Sequence, residues 1–181
     1  MTLTALADIE HRITIEANLH RVWAVLTDPA HVAAWLGCLQ YRAEVGHRFF
    51  MQPDAARRAA GDAAGATHCE VLEMTPPNRL AFSWFVPGTP KTTVTLTLEA
   101  RGADTTEVTL SHTGWDQFDR GQVQTIYEQL LNGWRDYVLP GLRRVVDASP
   151  TPPATSPPDA GWQDRDGPRS MMVRPSRSTQ P

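Results

Sequence analysis

The sequence predicts an α+β fold in which a curved antiparallel sheet is closed by a single C-terminal helix, an arrangement that encloses an apolar cavity. Three observations predict it: two alternating segments joined by a polar turn between Thr92 and His112, a long amphipathic segment from Arg120 to Val146, and further alternating segments in the N-terminal half. Val94, Leu96 and Leu98 oppose Thr93, Thr95, Thr97 and Glu99. Such alternation is how a strand reads when one face meets a core and the other meets water. Thr106, Val108, Leu110 and His112 repeat it against Glu107, Thr109 and Ser111, and Arg101-Gly102-Ala103-Asp104 supplies the turn.

From the N-terminus, Ile9 to Ala17 alternates with Ile13 and Ile15 on one face and reads as a strand. Asn18 caps a short helix through Val22, Trp23, Val25 and Leu26. Asp28-Pro29 starts a second, with proline at the first helical position where its missing N–H costs nothing. That helix holds Val32, Trp35 and Leu36 and stops at Gly37. Strands follow over Leu39–Val45, Arg48–Gln52, Thr67–Met74 and Leu80–Val86, with Pro76-Pro77-Asn78 as the turn between the last two. Between Pro53 and Ala66 lies an alanine-, glycine- and arginine-rich loop to which the pattern assigns no structure.

The long helix begins at Asp119, an N-cap with Gln122 three residues on, flanked by a Phe118/Val123 staple. Val123, Ile126, Tyr127, Leu130, Leu131, Trp134, Val138, Leu142 and Val145 recur by threes and fours, so one face is expected to be buried along its whole length. Pro140-Gly141 interrupts it, and a kink is expected there because the ring collides with the carbonyl of Asp136.

The chain has 181 residues, enough for one domain over residues 1–148 and an appendage. From 149 to 181 proline, serine, threonine and arginine dominate, and a disordered tail is expected, with Trp162 and Met171-Met172-Val173 its only apolar spots. A net charge of −3 with mixed signs and no basic stripe argues against nucleic acid. No run approaches the ~18 apolar residues of a membrane span, and there is no basic, apolar leader, so a cytoplasmic protein is expected. Lys91 is the one lysine, among many arginines and alanines, which points to a GC-rich bacterial genome. Cys38 and Cys69 read as small buried hydrophobes.

The motifs in their order resemble the START-like (SRPBCC) superfamily and, within it, the family named after the activator of heat-shock-protein-90 ATPase. The resemblance rests on Ile15-Glu16-Ala17, Val22-Trp23, Leu26-Thr27-Asp28-Pro29 and Trp35 in the first part. It continues through Val71-Leu72-Glu73, Pro76-Pro77, Arg79-Leu80 and Phe82-Ser83-Trp84. It ends with Thr106 through Leu110, His112-Thr113-Gly114-Trp115, Tyr127, Gly133-Trp134 and Leu139, covering about residues 8 to 147. The loop from Pro53 to Ala66 departs from the family, where a shorter glycine-containing turn is usual. The resemblance implies a helix-grip fold: a seven-stranded antiparallel sheet wrapped around the C-terminal helix, with a hydrophobic cavity between them. Function varies within the superfamily, so the fold does not settle it.

Phe82, Trp84, Leu96, Leu110, Tyr127, Leu130, Leu131 and Trp134 are expected to face the space between sheet and helix. Core packing alone would ask for the same residue types, but tryptophan and tyrosine also bring polar tips, as small-molecule sites do. Parity places His112 on that face as well, either as a ligand-binding or proton-moving imidazole or as a core histidine bonded to its neighbours. Glu70 faces inward only if its strand keeps strict register; the opposite assignment puts Val71 inside. His11, His20, His31, His47 and His68 lack metal-ligand spacing, and no metal is expected. No phosphate loop, dinucleotide fingerprint or Gly-x-Ser-x-Gly elbow occurs, and no cofactor is expected.

Three functions follow, in this order: a carrier or sensor for a small hydrophobic or aromatic molecule, without chemistry of its own; a cyclase- or aromatase-like enzyme using His112, Tyr127 and Glu70 in the same cavity; and a protein-binding, co-chaperone-like module. The last ranks third because in the eukaryotic activators a separate N-terminal domain contributes to that activity, whereas here the START-like stretch begins within the first ten residues or so.

Overall fold

A computed structural model describes residues 6–150. Its strands are β1 (Ile9–Ile15), β2 (Cys38–Leu39), β3 (Arg48–Met51), β4 (Thr67–Thr75), β5 (Arg79–Phe85), β6 (Thr92–Gly102) and β7 (Thr105–Thr113). They form one seven-stranded sheet in the order β1-β7-β6-β5-β4-β3-β2, every neighbouring pair antiparallel. Helices α1 (Leu19–Thr27) and α2 (Pro29–Leu36) follow β1, a short α3 (Ala55–Ala59) sits between β3 and β4, and α4 (Arg120–Gly133) and α5 (Leu139–Ala148) make up the C-terminal helix. The expected tail from residue 151 onward, including Trp162 and Met171-Met172-Val173, lies outside the described residues.

Parity and register agree. Leu80, Leu96 and Leu110 stand opposite one another across β5, β6 and β7, as do Phe82, Val94 and His112, and all six are buried. These cross-strand ladders form the floor of the core. Bulges at Val71/Glu73 and Ala100/Gly102 shift the register and add local twist. Cys69 and Val71 point inward on β4, which leaves Glu70 outward, 3.6 Å from Arg48.

The caps read from the sequence form as expected. The Asn18 side chain accepts from Arg21 N–H, Asp28 from His31 N–H and Asp119 from Gly121 N–H. Gly37 ends α2 in the left-handed region at φ 68°, ψ 52°. Gly37→Ala is therefore expected to cost about 1–2 kcal/mol in urea denaturation, the penalty of a Cβ in that region. At the other end of the chain the Arg21 Nη2 group donates to the carbonyls of Val146 and Ser149, satisfying the open end of α5.

Two expectations need correction, and one stretch to which the pattern assigned no structure acquires a helix. The strand expected from Leu39 to Val45 shrinks to Cys38–Leu39; beyond it the chain turns, although Tyr41 is buried edge-on against Phe49. The loop from Pro53 to Ala66 contains α3, whose first N–H groups are taken by the Asp54 carboxylate. The proline of the long helix is preceded by a π-helical turn, Trp134–Val138, in which Leu139 N–H donates to the Trp134 carbonyl. Such a turn inserts one residue, rotating all that follows by ~100° about the helix axis. Leu139 and Val146 consequently take the buried positions that the simple period gave to Val138 and Val145, which are only half-buried.

Candidate functional site

The helix face is not buried along its whole length. α5 and the π turn seat Trp134, Leu139, Leu142 and Val146 in the core, whereas on α4 Ile126 is 40% exposed and Tyr127, Leu130 and Leu131 are half-buried. On the side of Ile126 and Leu130 a cleft of about 690 Å³ opens between this helix, the end of β5 and the segment running from α2 to α3. The C-terminal end of α2 contributes Trp35, Leu36 and Gly37; β3 and the stretch after it contribute Met51, Gln52 and Pro53. Trp84 of β5 and Tyr137 and Val138 of the π turn complete the lining. A smaller recess of about 270 Å³ lies on the far side of Trp84 and Ile126, between the β5–β6 loop and Trp115, Phe118 and Val123.

The wall is held rigidly where it is polar. Gln52, 2% exposed, donates from Nε2 to the carbonyls of Asp62 and Ala64 and accepts from Asp54 N–H, which ties the α3 loop back onto β3. Arg58 donates from Nη1 to the carbonyls of Gln52 and Pro53. These bonds account for a loop that carries almost no apolar period in its sequence.

His112 lies in the core, fully buried, among three indole rings: Trp115, Trp84 and Trp134 at 4.6, 5.7 and 5.8 Å between centroids. Trp134 Nε1–H donates to His112 Nδ1 at 3.1 Å. The Nε2 of His112 is 2.7 Å from the Thr92 hydroxyl, which donates in turn to the Trp84 carbonyl at 2.8 Å. One consistent proton assignment satisfies every group: a neutral imidazole with its proton on Nε2, donating to Thr92. Burial pushes its pKa down to about 3, since desolvation penalises the imidazolium.

Of the residues read from the sequence, Trp84 and Leu130 line the cleft. Phe82, Leu96, Leu110, His112 and Trp134 are buried in the core behind it. Tyr127 and Leu131 turn towards the N-terminal strand: the Tyr127 hydroxyl donates to the Ala7 carbonyl, and the Leu131 carbonyl lies 2.8 Å from His11 Nε2. Trp35, Met51, Gln52, Arg58, Ile126, Tyr137 and Arg144 are cleft residues the sequence reading did not place there. The sequence marks Trp35 and Ile126 as apolar helix positions, but nothing in the pattern marks α2 and α3 as a wall. Cys38 and Cys69 are buried free thiols; burial pushes Cys38 up to about 12 and Cys69 higher, so neither offers a thiolate at neutral pH. Among the described residues no His, Cys, Asp and Glu group could hold a metal ion, and no helix is long and apolar enough to cross a membrane.

The profile of the family described as Activator of Hsp90 ATPase homolog 1-like protein matches residues 16–146. Among solved structures, a protein of Mesorhizobium loti aligns with a TM-score of 0.65 at 23% identity, covering 80% of this chain and 100% of its own. A protein of the dynemicin biosynthetic locus, DynU16, aligns with a TM-score of 0.61 at 26% identity, over 78% of this chain and 47% of its own. An HSP90 activator from Plasmodium falciparum gives a TM-score of 0.61 at 16% identity, covering 77% of this chain and 96% of its own, a likeness of fold alone. No protein of curated function matches the chain in sequence.

Proposed function

Because the chain belongs to the family of Activator of Hsp90 ATPase homolog 1-like proteins, with its START-like sheet and C-terminal helix, we propose that it is a binding module that holds a small hydrophobic or aromatic molecule in the cleft between sheet and helix and performs no chemistry of its own. The observation that carries this reading is the cleft itself. Its volume of about 690 Å³ falls within the roughly 300–1,000 Å³ of small-molecule sites. Its apolar wall, including the partly exposed Ile126, leaves hydrophobic surface that a ligand would cover.

A cyclase-like reaction finds less support. It needs two polar groups about 3 Å from one reacting atom. His112 has both ring nitrogens engaged in the core, Tyr127 is bonded to the N-terminal backbone, and Glu70 lies on the outer face beside Arg48. The HSP90 activator among the structural neighbours keeps a protein partner as the second reading, with Tyr137, 74% exposed at the cleft rim, as its best anchor.

Native mass spectrometry of the purified full chain, followed by denaturing extraction, tests the leading reading. A retained apolar small molecule is expected. Ile126→Asp, at a position exposed enough to spare the fold, is expected to weaken retention at least ~10-fold by placing a carboxylate against an apolar body. A protein that copurifies with nothing, and that no lipid or aromatic compound stabilises against heat, would overturn carriage.

A further inference from the structure

We propose that the molecule held in the cleft is an amphiphilic acid, an apolar or aromatic body carrying one carboxylate that Arg58 and Arg144 receive beside the C-terminal end of α2. This deepens the binding reading above and rests on it. The first support is the charge of the wall. Arg58 and Arg144 line the cleft, and among the described residues no aspartate, glutamate, lysine or histidine does. In a chain with more acidic than basic residues and a net charge of −3, the cleft is a local region of the opposite sign.

The second support is what these two guanidinium groups do not do. Arg12, Arg48, Arg57, Arg79, Arg101 and Arg135 each lie within ion-pair distance of a carboxylate. Among the described residues Arg58 has no such partner: its Nη1 serves two backbone carbonyls, and its Nε and Nη2 make no hydrogen bond. Arg144 is exposed and makes neither a hydrogen bond nor an ion pair among the described residues. Asp54, whose carboxyl is held below the usual carboxylate range chiefly by the Arg57 backbone N–H and in small part by Arg58, is engaged in capping α3 and does not line the cleft.

Each group lies beside a glycine of the cleft wall, Arg58 beside Gly37 and Arg144 beside Gly141. A Cβ on Gly37 would stand 3.5 Å from Arg58 Nη1, and one on Gly141 would stand 3.7 Å from Arg144 Nη2 and 3.4 Å from the Trp35 carbonyl. These are ordinary contact distances, so the arginines lie against the backbone at Gly37 and Gly141 without either glycine being required for space. Trp35 itself is part of the wall, and its buried Nε1–H has no acceptor among the described residues. A buried donor without a partner is unfavourable, so an acceptor oxygen arriving with a ligand would be favoured there. Guanidinium groups suit a carboxylate because their planar N–H pairs match its two oxygens. Leu36, Met51, Trp84, Ile126, Leu130 and Val138 are left to contact the body.

Isothermal titration calorimetry on the full chain with naphthylacetate, naphthylacetamide and naphthylethylamine, matched in body and differing in charge, tests the assignment. Naphthylacetate is expected to bind at least ~10-fold tighter than the amide, with the amine weakest. The double variant Arg58→Gln, Arg144→Gln is expected to abolish the preference for the acid, read as the ratio of acid to amide affinity within the same variant, so that any loosening of the wall where Arg58 holds Gln52 and Pro53 affects both compounds alike. Arg144→Gln alone alters an exposed side chain without partners, so it keeps the fold and should lose part of the preference. Equal binding of acid and amide, or a preference that survives the double variant, overturns the amphiphilic acid and leaves apolar binding standing. Failure of all three compounds to bind overturns both.

Discussion

Replacing Trp134 by alanine is expected to lower the free energy of unfolding by about 3–5 kcal/mol, as for other buried aromatic residues. The ring is 1% exposed and packs edge-on against His112. It also sits in the π-helical turn that sets the phase of α5, so the cavity left behind would lie where helix and sheet meet. Trp134→Phe separates packing from hydrogen bonding. It keeps most of the apolar area but removes the N–H that His112 Nδ1 accepts, and a loss of about 1–3 kcal/mol is expected for the unsatisfied buried acceptor. Urea denaturation followed by far-ultraviolet circular dichroism reads both. Because Trp134 lies behind the cleft wall, the folded Phe variant should bind naphthylacetate within ~2-fold of the unaltered protein. Lost affinity at unchanged stability would instead make Trp134 a ligand contact.

The difference between Trp134 as a predicted ligand contact and as a core element shows where sequence reasoning works. Alternation identified the inward faces of β5, β6 and β7, whereas on β4 it left both assignments open, and the structure puts Val71 inside and Glu70 outside. Alternation says which way a side chain points, however, and not whether another side chain meets it. Phe82, Leu96, Leu110 and His112 point inward and are buried in the core; Trp84, near the end of β5, packs against His112 and still borders the cleft. The helical period likewise located the apolar face of the long helix, but a π turn has no signature in a regular count. One inserted residue therefore exchanged Val138 and Val145 for Leu139 and Val146. The polar cleft residues were the least legible. Gln52, Arg58 and Arg144 come from three separate segments; Gln52 and Arg58 are held by hydrogen bonds to backbone carbonyls and Arg144 by none, and neither arrangement leaves a periodic trace.

The second large effect expected is a loss of stability on the acid side, carried by His112. Its folded-state pKa is depressed to about 3 from an ordinary value of 6.5, so the stabilisation it contributes is fully present above 6.5 and is lost as the pH falls towards 3. In that window the unfolded chain takes up a proton that the folded core refuses, and unfolding becomes easier by ~1.4 kcal/mol per pH unit. Asp54, Glu107 and Asp136 also have depressed values, held down by hydrogen bonds from backbone N–H groups at Arg57 and Ala56, from Arg101 and from Arg135 respectively. Their contributions fall away only around and below the ordinary carboxylate range, so the interval between about pH 6.5 and pH 5 isolates the histidine. His112→Gln is expected to be less stable than the unaltered protein at neutral pH, and the gap should narrow by ~2 kcal/mol on going to pH 5, because glutamine has no proton to gain. Urea denaturation of both proteins across that interval measures the convergence, and ring-nitrogen chemical shifts should report a neutral Nε2–H imidazole throughout. Parallel curves would mean that the imidazole charges equally well in the folded state. That requires water to reach it past Trp84, Trp115 and Trp134, and the core behind the cleft would then be open and the enzymatic use of His112 would regain its footing.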